Sequence, residues 1–353
     1  MWGTMKWYVS DYNGILTDLK EKVKGHLVSP RDADAWVMWQ DAQGSYADLM
    51  KACRQTGFHK PTYVVQHGRS ATLDYGPPNS FPLLADKFLC WGRNDHDRLA
   101  SLGYADRAVV VGCPLNTHIQ PKVPHREKVV LFVPVNTGKE EPENIAAYYE
   151  LLKMKYAGAQ TLVLDNKAAL KDKWGFNGQL NVSFNRLAEG MDIIAKLLPW
   201  HDRNLYHGNT LVGYQDSPKN NELLFSLLRN VDLVVGLDEG TTEIFAYGFD
   251  VPVIVVDGFS YRQWKPGSRS YEPMDIYRTK AATHVPLSGL QEAVRYALAH
   301  PEHLRKERAE VAEAELGLSY GNATENIFKL VRFDLKHTGK EVFDQKEGIS
   351  TQL

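Results

Sequence analysis

Four short apolar runs dominate the first third of the chain: "AWVMW" (35–39), "TYVVQ" (62–66), "KFLCW" (87–91) and "AVVVG" (108–112). Each is followed by Gly, Asp or Asn punctuation, and helical patterns separate them. Runs that are apolar at consecutive positions belong to strands buried on both faces, and strands alternating with helices build a parallel sheet. The sequence is therefore read as α/β. "SYADLMKACRQTG" (45–57) forms a helix with Leu49, Ala52 and Cys53 on one face and Gly57 as its stop. "NDHDRLASLG" (94–103) repeats the plan, with Asn94 or Asp95 as N-cap and Gly103 as stop.

The same grammar restarts at "KVVLFVPV" (128–135). A helix follows over 144–157 and a strand over 160–165. "MDIIAKLLP" (191–199) fits a strand or a helix end, and periodicity does not decide. Then come a helix (221–230), the buried strand "VDLVVGLD" (231–238), the helix "EIFAYGF" (243–249) and the strand "VPVIVVD" (251–257). "NTHIQPKVPHRE" (116–127) reads as a linker. At 353 residues the chain holds two such domains. They are placed at 1–124 and 125–335, with the final helix folding back on the first domain and 336–353 as a tail. Residues 259–280 are polar, aromatic and irregular. Helices are expected over 288–317 and 321–335, and "LRKERAEVAEAE" (304–315) reads as a solvated, ion-paired helix without a functional role.

A net charge of −2 provides no overall field for nucleic acid or an anionic membrane. No apolar run approaches the roughly 18 residues that span a bilayer, and the first residues lack the layout of a secretory signal. Cys53, Cys90 and Cys113 have neither zinc-ligand spacing nor even number, and read as reduced thiols of a cytoplasmic protein. "WHDRNLYH" (200–207) has two histidines but no shared helical face and no carboxylate triad, so no metal is expected.

Two segments carry chemistry. "YVVQHGRSATLDYG" (63–76) is a strand that ends on His67. An imidazole titrates near neutrality and serves as a general base, with Asp74 able to orient it. The alternatives are a loop histidine bonded to backbone and an aspartate that starts a turn. The turn "DEGTTE" (Asp238, Glu239, Gly240, Thr241, Thr242, Glu243) joins a buried strand to a helix. Such a turn suits a phosphate at the helix N-terminus, with Glu243 reaching a ribose diol. The plainer account is a capped helix, with Thr241 or Thr242 as N-cap. In 259–280, Arg262, Lys265 and Arg269 lie among Tyr261, Trp264 and Tyr271. Such cations suit a diphosphate or an anionic acceptor, and the interleaved aromatic rings suit sugar faces or single-stranded nucleic acid; the plainer account is a solvated loop.

These segments, in this order, resemble the GT-B nucleotide-sugar enzymes. They are most similar to the CDP-glycerol glycerophosphotransferase (teichoic-acid polymerase-like) group and more distantly to UDP-N-acetylglucosamine 2-epimerases. "VVQHGRS" is similar to a strand ending in Trp-His-Gly, whose histidine is the catalytic base that the resemblance implies. "VVVGCPLNT" resembles its Gly-x-Pro-x-(Asn/Asp) segment, "IAKLLP" its Lys-x-His-Pro, "LDEGTTE" its Thr-Asp-Tyr-Ser-Ser turn and "SYGNATENIFKLV" its closing helix. The resemblance covers most of 60–335, without 136–185. It implies two Rossmann-like domains facing across a cleft (GT-B) and a sugar moved from a nucleotide-activated donor, a UDP-sugar, to a hydroxyl acceptor.

His67 is then the base. Asp238 to Glu243, with Lys196 and His201, bind the donor, and Arg69, Arg262, Lys265 and Arg269 meet phosphate or acceptor. Leu198 stands where the group has His, and Gly240 and Thr241 where it has paired serines. Glu243 lies as in retaining glycosyltransferases. These departures shift weight from CDP-glycerol to a nucleotide sugar. Polyol-phosphate transfer, 2-epimerisation, transfer to a modified DNA base and nucleotide-sugar binding without catalysis stay open. The acceptor is a glycan, a polyol polymer or a modified DNA base, and no cofactor is implied.

Overall fold

The computed structural model describes residues 5–11, 14–39, 48, 50–51, 55, 60–68, 83–122, 128–133, 150, 159–160, 182–183, 193–196, 224–225, 228–236, 239–257, 262–264, 271–273 and 278–337. Two sheets, parallel apart from one short pair and flanked by helices, make an α/β fold. The first contains β1 (Trp7–Ser10), β2 (Ala35–Met38), β3 (Thr62–Val65), β4 (Lys87–Cys90) and β5 (Ala108–Val110), in that spatial order and all parallel. The strands β2 and β3 are buried at every position, as expected of strands covered on both faces. One face presents Trp7, Val9, Val37, Tyr63, Val65 and Leu89 to α1 (Thr17–Lys22) and to the last helix. The other presents Val64, Phe88 and Cys90 to Leu99 of α2 (Arg93–Ser101).

The second sheet runs β14-β11-β10-β6-β9-β8. It is built from β6 (Lys128–Val133), β8 (Val182–Ser183), β9 (Ile193–Lys196), β10 (Leu233–Gly236), β11 (Val253–Asp257) and β14 (Ala282–Pro286). Strand β7 (Ala159–Gln160) lies beside the start of β6. Helix α3 (Thr241–Gly248) connects β10 to β11. Helices α4 (Leu290–Ala299), α5 (Arg305–Leu316) and α6 (Ala323–His337) follow β14.

Helix α6 returns to the first sheet. Phe328 stacks on Trp7 with ring centroids 5.5 Å apart, Tyr63 Oη donates to Asp334 Oδ2 at 2.9 Å, and Lys87 Nζ donates to Asp334 Oδ1 at 2.9 Å. The chain therefore passes between the sheets twice, and the passages lie side by side. The Cys113 N–H donates to Leu316 O at 2.9 Å. Gly112 and Gly317 take φ of +86° and +59° there, values that a side chain resists.

Several sequence expectations are corrected. Residues 7–10 and 282–286 are strands that the sequence reading did not assign, and 193–196 is a strand, not a helix end. The span 288–317 breaks into two helices around Pro301, which cannot donate within a helix. The segment 259–280 contains an antiparallel ribbon, β12 (Arg262–Trp264) with β13 (Tyr271–Pro273). Helix α5 is not solvated: Arg308, Val311, Ala312, Glu315 and Leu316 are buried. Neither Asn94 nor Asp95 caps α2, which starts after Gly92 without a side-chain cap. Neither Thr241 nor Thr242 caps α3, which starts after Gly240 in the same way.

Candidate functional site

Strand β3 is anchored at its start by Asp86, whose Oδ2 accepts from the Thr62 N–H and the Thr62 hydroxyl, both at 2.8 Å. At its carboxyl end lies His67. Its Nδ1 is 3.2 Å from Trp39 O, and its ring meets the Trp39 ring edge to face, with centroids 5.1 Å apart and planes at 87°. A carbonyl oxygen only accepts, so Nδ1 carries the proton and Nε2 keeps the lone pair. Burial lowers the imidazole pKa to about 4, against the opposing pull of the Trp39 bond. The ring is neutral at pH 7.

The second half of the site comes from β10 and α3. Gly240 precedes the helix in extended backbone, and Thr241, Thr242 and Glu243 form its first turn. That turn leaves N–H groups outside the helix's own ladder and carries the positive end of the dipole. Glu243 is buried there. The two halves touch: a Cβ built on Gly68 would lie 3.1 Å from Thr241 Oγ1. The residue after the imidazole is thus packed against the start of the helix that follows β10.

Glu239 has a different place. Its carboxylate is buried and accepts from Tyr247 Oη at 2.9 Å, the Thr279 N–H at 2.8 Å, the Thr279 hydroxyl at 2.7 Å and His284 Nε2 at 3.0 Å. It ties the turn to β14 and to the segment before it. His284 Nδ1 in turn lies 3.5 Å from Asp257 Oδ1, which also receives Arg278 at 2.5 Å.

Lys196 ends β9, which β6 separates from β10, and Arg262 opens β12. Asp74, Arg69, Asp238, His201, Lys265 and Arg269 lie outside the described residues. Among the described residues no group of three His, Cys, Asp or Glu side chains is arranged for a metal ion, and no helix is long and apolar enough to cross a membrane. Cys90 and Cys113 are buried and unbridged, and burial pushes both thiols up.

The sequence reading missed the groups that hold His67. Trp39 acts through its backbone carbonyl, which has no sequence signature. Gln66, beside His67, and Asp95, read from sequence only as a candidate cap, are fully buried polar residues. The i,i+3 spacing of Asp95 and Arg98, which pair at 3.2 Å, was the available signal.

No family model and no curated protein sequence matches the chain. Solved structures share its fold. The wall teichoic acid polymerase TagF aligns over 95% of this chain and 90% of its own, at 12% identity and a TM-score of 0.53. A variant of that polymerase aligns over 94% and 89%, at 12% identity and 0.52. S. aureus MnaA in complex with UDP aligns over 93% and 80%, at 15% identity and 0.49. The two TagF alignments give the GT-B type of fold that the motif order implies.

Proposed function

We propose that the chain is a glycosyltransferase that moves a sugar from a nucleotide-activated donor to a hydroxyl acceptor. The donor diphosphate lies at the start of α3, where helix N–H groups and the dipole favour negative charge. Glu243 accepts from the ribose. His67 Nε2 removes the acceptor proton as the acceptor oxygen attacks the anomeric carbon. The new C–O bond forms, the bond to the diphosphate breaks, the nucleoside diphosphate leaves with the electron pair, and the proton stays on the imidazole.

The observation that carries this reading is the contact between Gly68 and Thr241. It brings a neutral imidazole with an available Nε2 to the helix start expected to hold the leaving group. Both elements end strands at their carboxyl edges, where open α/β sheets bind ligands.

A second reading is transfer of a polyol phosphate from a CDP donor, with His67 in the same role. It draws support from the TagF fold over nearly the whole chain. Melting the protein with UDP, CDP, GDP and dTDP tests the common premise, because a nucleotide that binds only the folded chain raises Tm. No shift with any of the four removes the donor site. Turnover of UDP-sugars beside CDP-glycerol then separates the two readings.

A further inference from the structure

Gln66, the residue before His67, is completely buried. Its Nε2 donates to Gly68 O at 3.1 Å and to Asp95 Oδ2, and its Oε1 accepts the Trp91 N–H at 2.7 Å. Its own N–H donates to Leu89 O at 3.0 Å. Both amide hydrogens meet acceptors and the amide oxygen meets a donor, so the flipped carboxamide would set oxygen against oxygen. One side chain thereby fixes the backbone just past His67 to the end of the neighbouring strand.

The chain of contacts continues. Asp95 Oδ1 accepts from Arg98 Nη1 at 3.2 Å, and Arg98 Nη2 lies 3.5 Å from Glu315 Oε1, which also accepts from Asn94 at 3.0 Å. Glu315 belongs to α5, which packs on α3. Gly92, just before α2, runs so close to α5 that a Cβ there would lie 2.2 Å from Ala314 O. A polar path, buried at Gln66, Asp95 and Glu315 and part-buried at Arg98, therefore runs from the His67–Gly68 backbone, through α2, to the helix that supports the Thr241 turn.

We propose that Gln66 is the positioning residue of the site: through Asp95, Arg98 and Glu315 it sets the His67–Gly68 segment in register with α3. The proposal rests on the reading of His67 as the base. Gln66 touches no substrate. It acts by holding the imidazole against Trp39 and at a fixed distance from the helix start. Interior side chains that bond one another in this way favour one arrangement of the backbone they join.

The test uses the full chain with Gln66→Met, which keeps length and removes all three side-chain bonds. Turnover should fall by about 10-fold or more with the donor KM within about 3-fold, because a misplaced base costs the transition state and not donor binding. The 15N signals of His67 should change from a single Nδ1–H tautomer to a mixture. Wild-type turnover with an unchanged tautomer signal overturns the proposal. If Gln66→Met does not fold, Glu315→Gln takes its place. A turnover loss of about 3-fold or more at unchanged donor KM supports the path, and wild-type turnover overturns it. His67→Ala is assayed in parallel. Full turnover there removes His67 as the base, and the His67 tautomer signal of Gln66→Met then decides the positioning on its own.

Discussion

Gly68 lies against Thr241 so closely that the smallest side chain at position 68 would stand 3.1 Å from the Thr241 Oγ1. The two residues follow strands of different sheets, Gly68 after β3 and Thr241 after β10, and are far apart in sequence. Their contact defines how near the imidazole lies to the first turn of α3.

Gly68→Ala is expected to push that contact apart by a few tenths of an ångström and to lower turnover by about 10-fold, since small displacements of a positioned base are costly. The neighbour that must yield is a hydroxyl. Thr241→Ala in the same chain should therefore return part of the lost turnover. Kinetics of the two single variants and the double variant measure this, and additive losses contradict it.

His67→Ala should cost about 10²-fold or more in turnover while nucleotide affinity by calorimetry stays the same. In the unmutated chain burial lowers the imidazole pKa to about 4, so on the proposed reading kcat/KM should be flat from pH 8 to about 5 and fall only below that. The acid limb of kcat should lie higher, because a bound diphosphate beside the ring favours its charged form. A kcat/KM half-point near 6.5 contradicts the part-buried, neutral ring.

The same shift acts on stability. The unfolded chain takes up a proton on this histidine near pH 6.5, whereas the folded chain does so only near 4. The contribution of this group is therefore intact above about pH 6.5, is lost progressively as pH falls, and is fully lost below about 4. Between pH 7 and 5 the wild-type Tm should drop more steeply than that of His67→Gln, and parallel curves contradict the assignment.

Glu239→Gln should destabilise the fold by about 2–4 kcal/mol, because an amide NH₂ then faces donors that a carboxylate now receives. The Thr279 N–H, the Thr279 hydroxyl, Tyr247 Oη and His284 Nε2 all point at that carboxylate. The midpoint of urea unfolding reads the loss. Nucleotide affinity of the folded fraction should match wild type if these protein donors occupy the carboxylate, and a weakened affinity would return Glu239 to the donor-binding set.

Much of this fold was legible because buried parallel strands advertise themselves: the runs at 35–39, 62–66, 87–91 and 108–112 all contain strands. Strand β1 was not legible because it is four residues long among polar neighbours, and β14 because Thr283, His284 and Pro286 hide it until β11 pairs with it. Helix α5 misled for a physical reason. Its buried stripe, Arg308, Val311, Ala312 and Glu315, follows i, i+3, i+4, i+7, but its two ends are charged, so hydropathy reads the helix as solvated. Those charges are buried because partners await them: Arg308 donates to Asp250 Oδ1 at 2.6 Å, and Glu315 accepts from Asn94 at 3.0 Å. The His67 and Thr241 segments were legible as strand and helix ends. Their contact was not, because nothing local encodes a meeting across two sheets.

The paired crossings between the sheets provide the last test. At Gly317 φ is +59°, and a Cβ would lie 2.3 Å from Trp91 O, a backbone atom that cannot swing away. At Gly103 φ is +86°, and a Cβ would meet nothing within 4 Å. Gly103→Ala should therefore cost only the left-handed conformation, about 1–2 kcal/mol. Gly317→Ala must also part the second crossing from the end of β4, and should cost about 3 kcal/mol or more. Urea midpoints of the two variants separate strain from collision. The Gly317 variant should also lose turnover beyond its loss of stability, because the moved backbone carries Trp91, whose N–H is held by Gln66 beside His67. Equal midpoints for the two variants would mean that the crossings are not packed together as described.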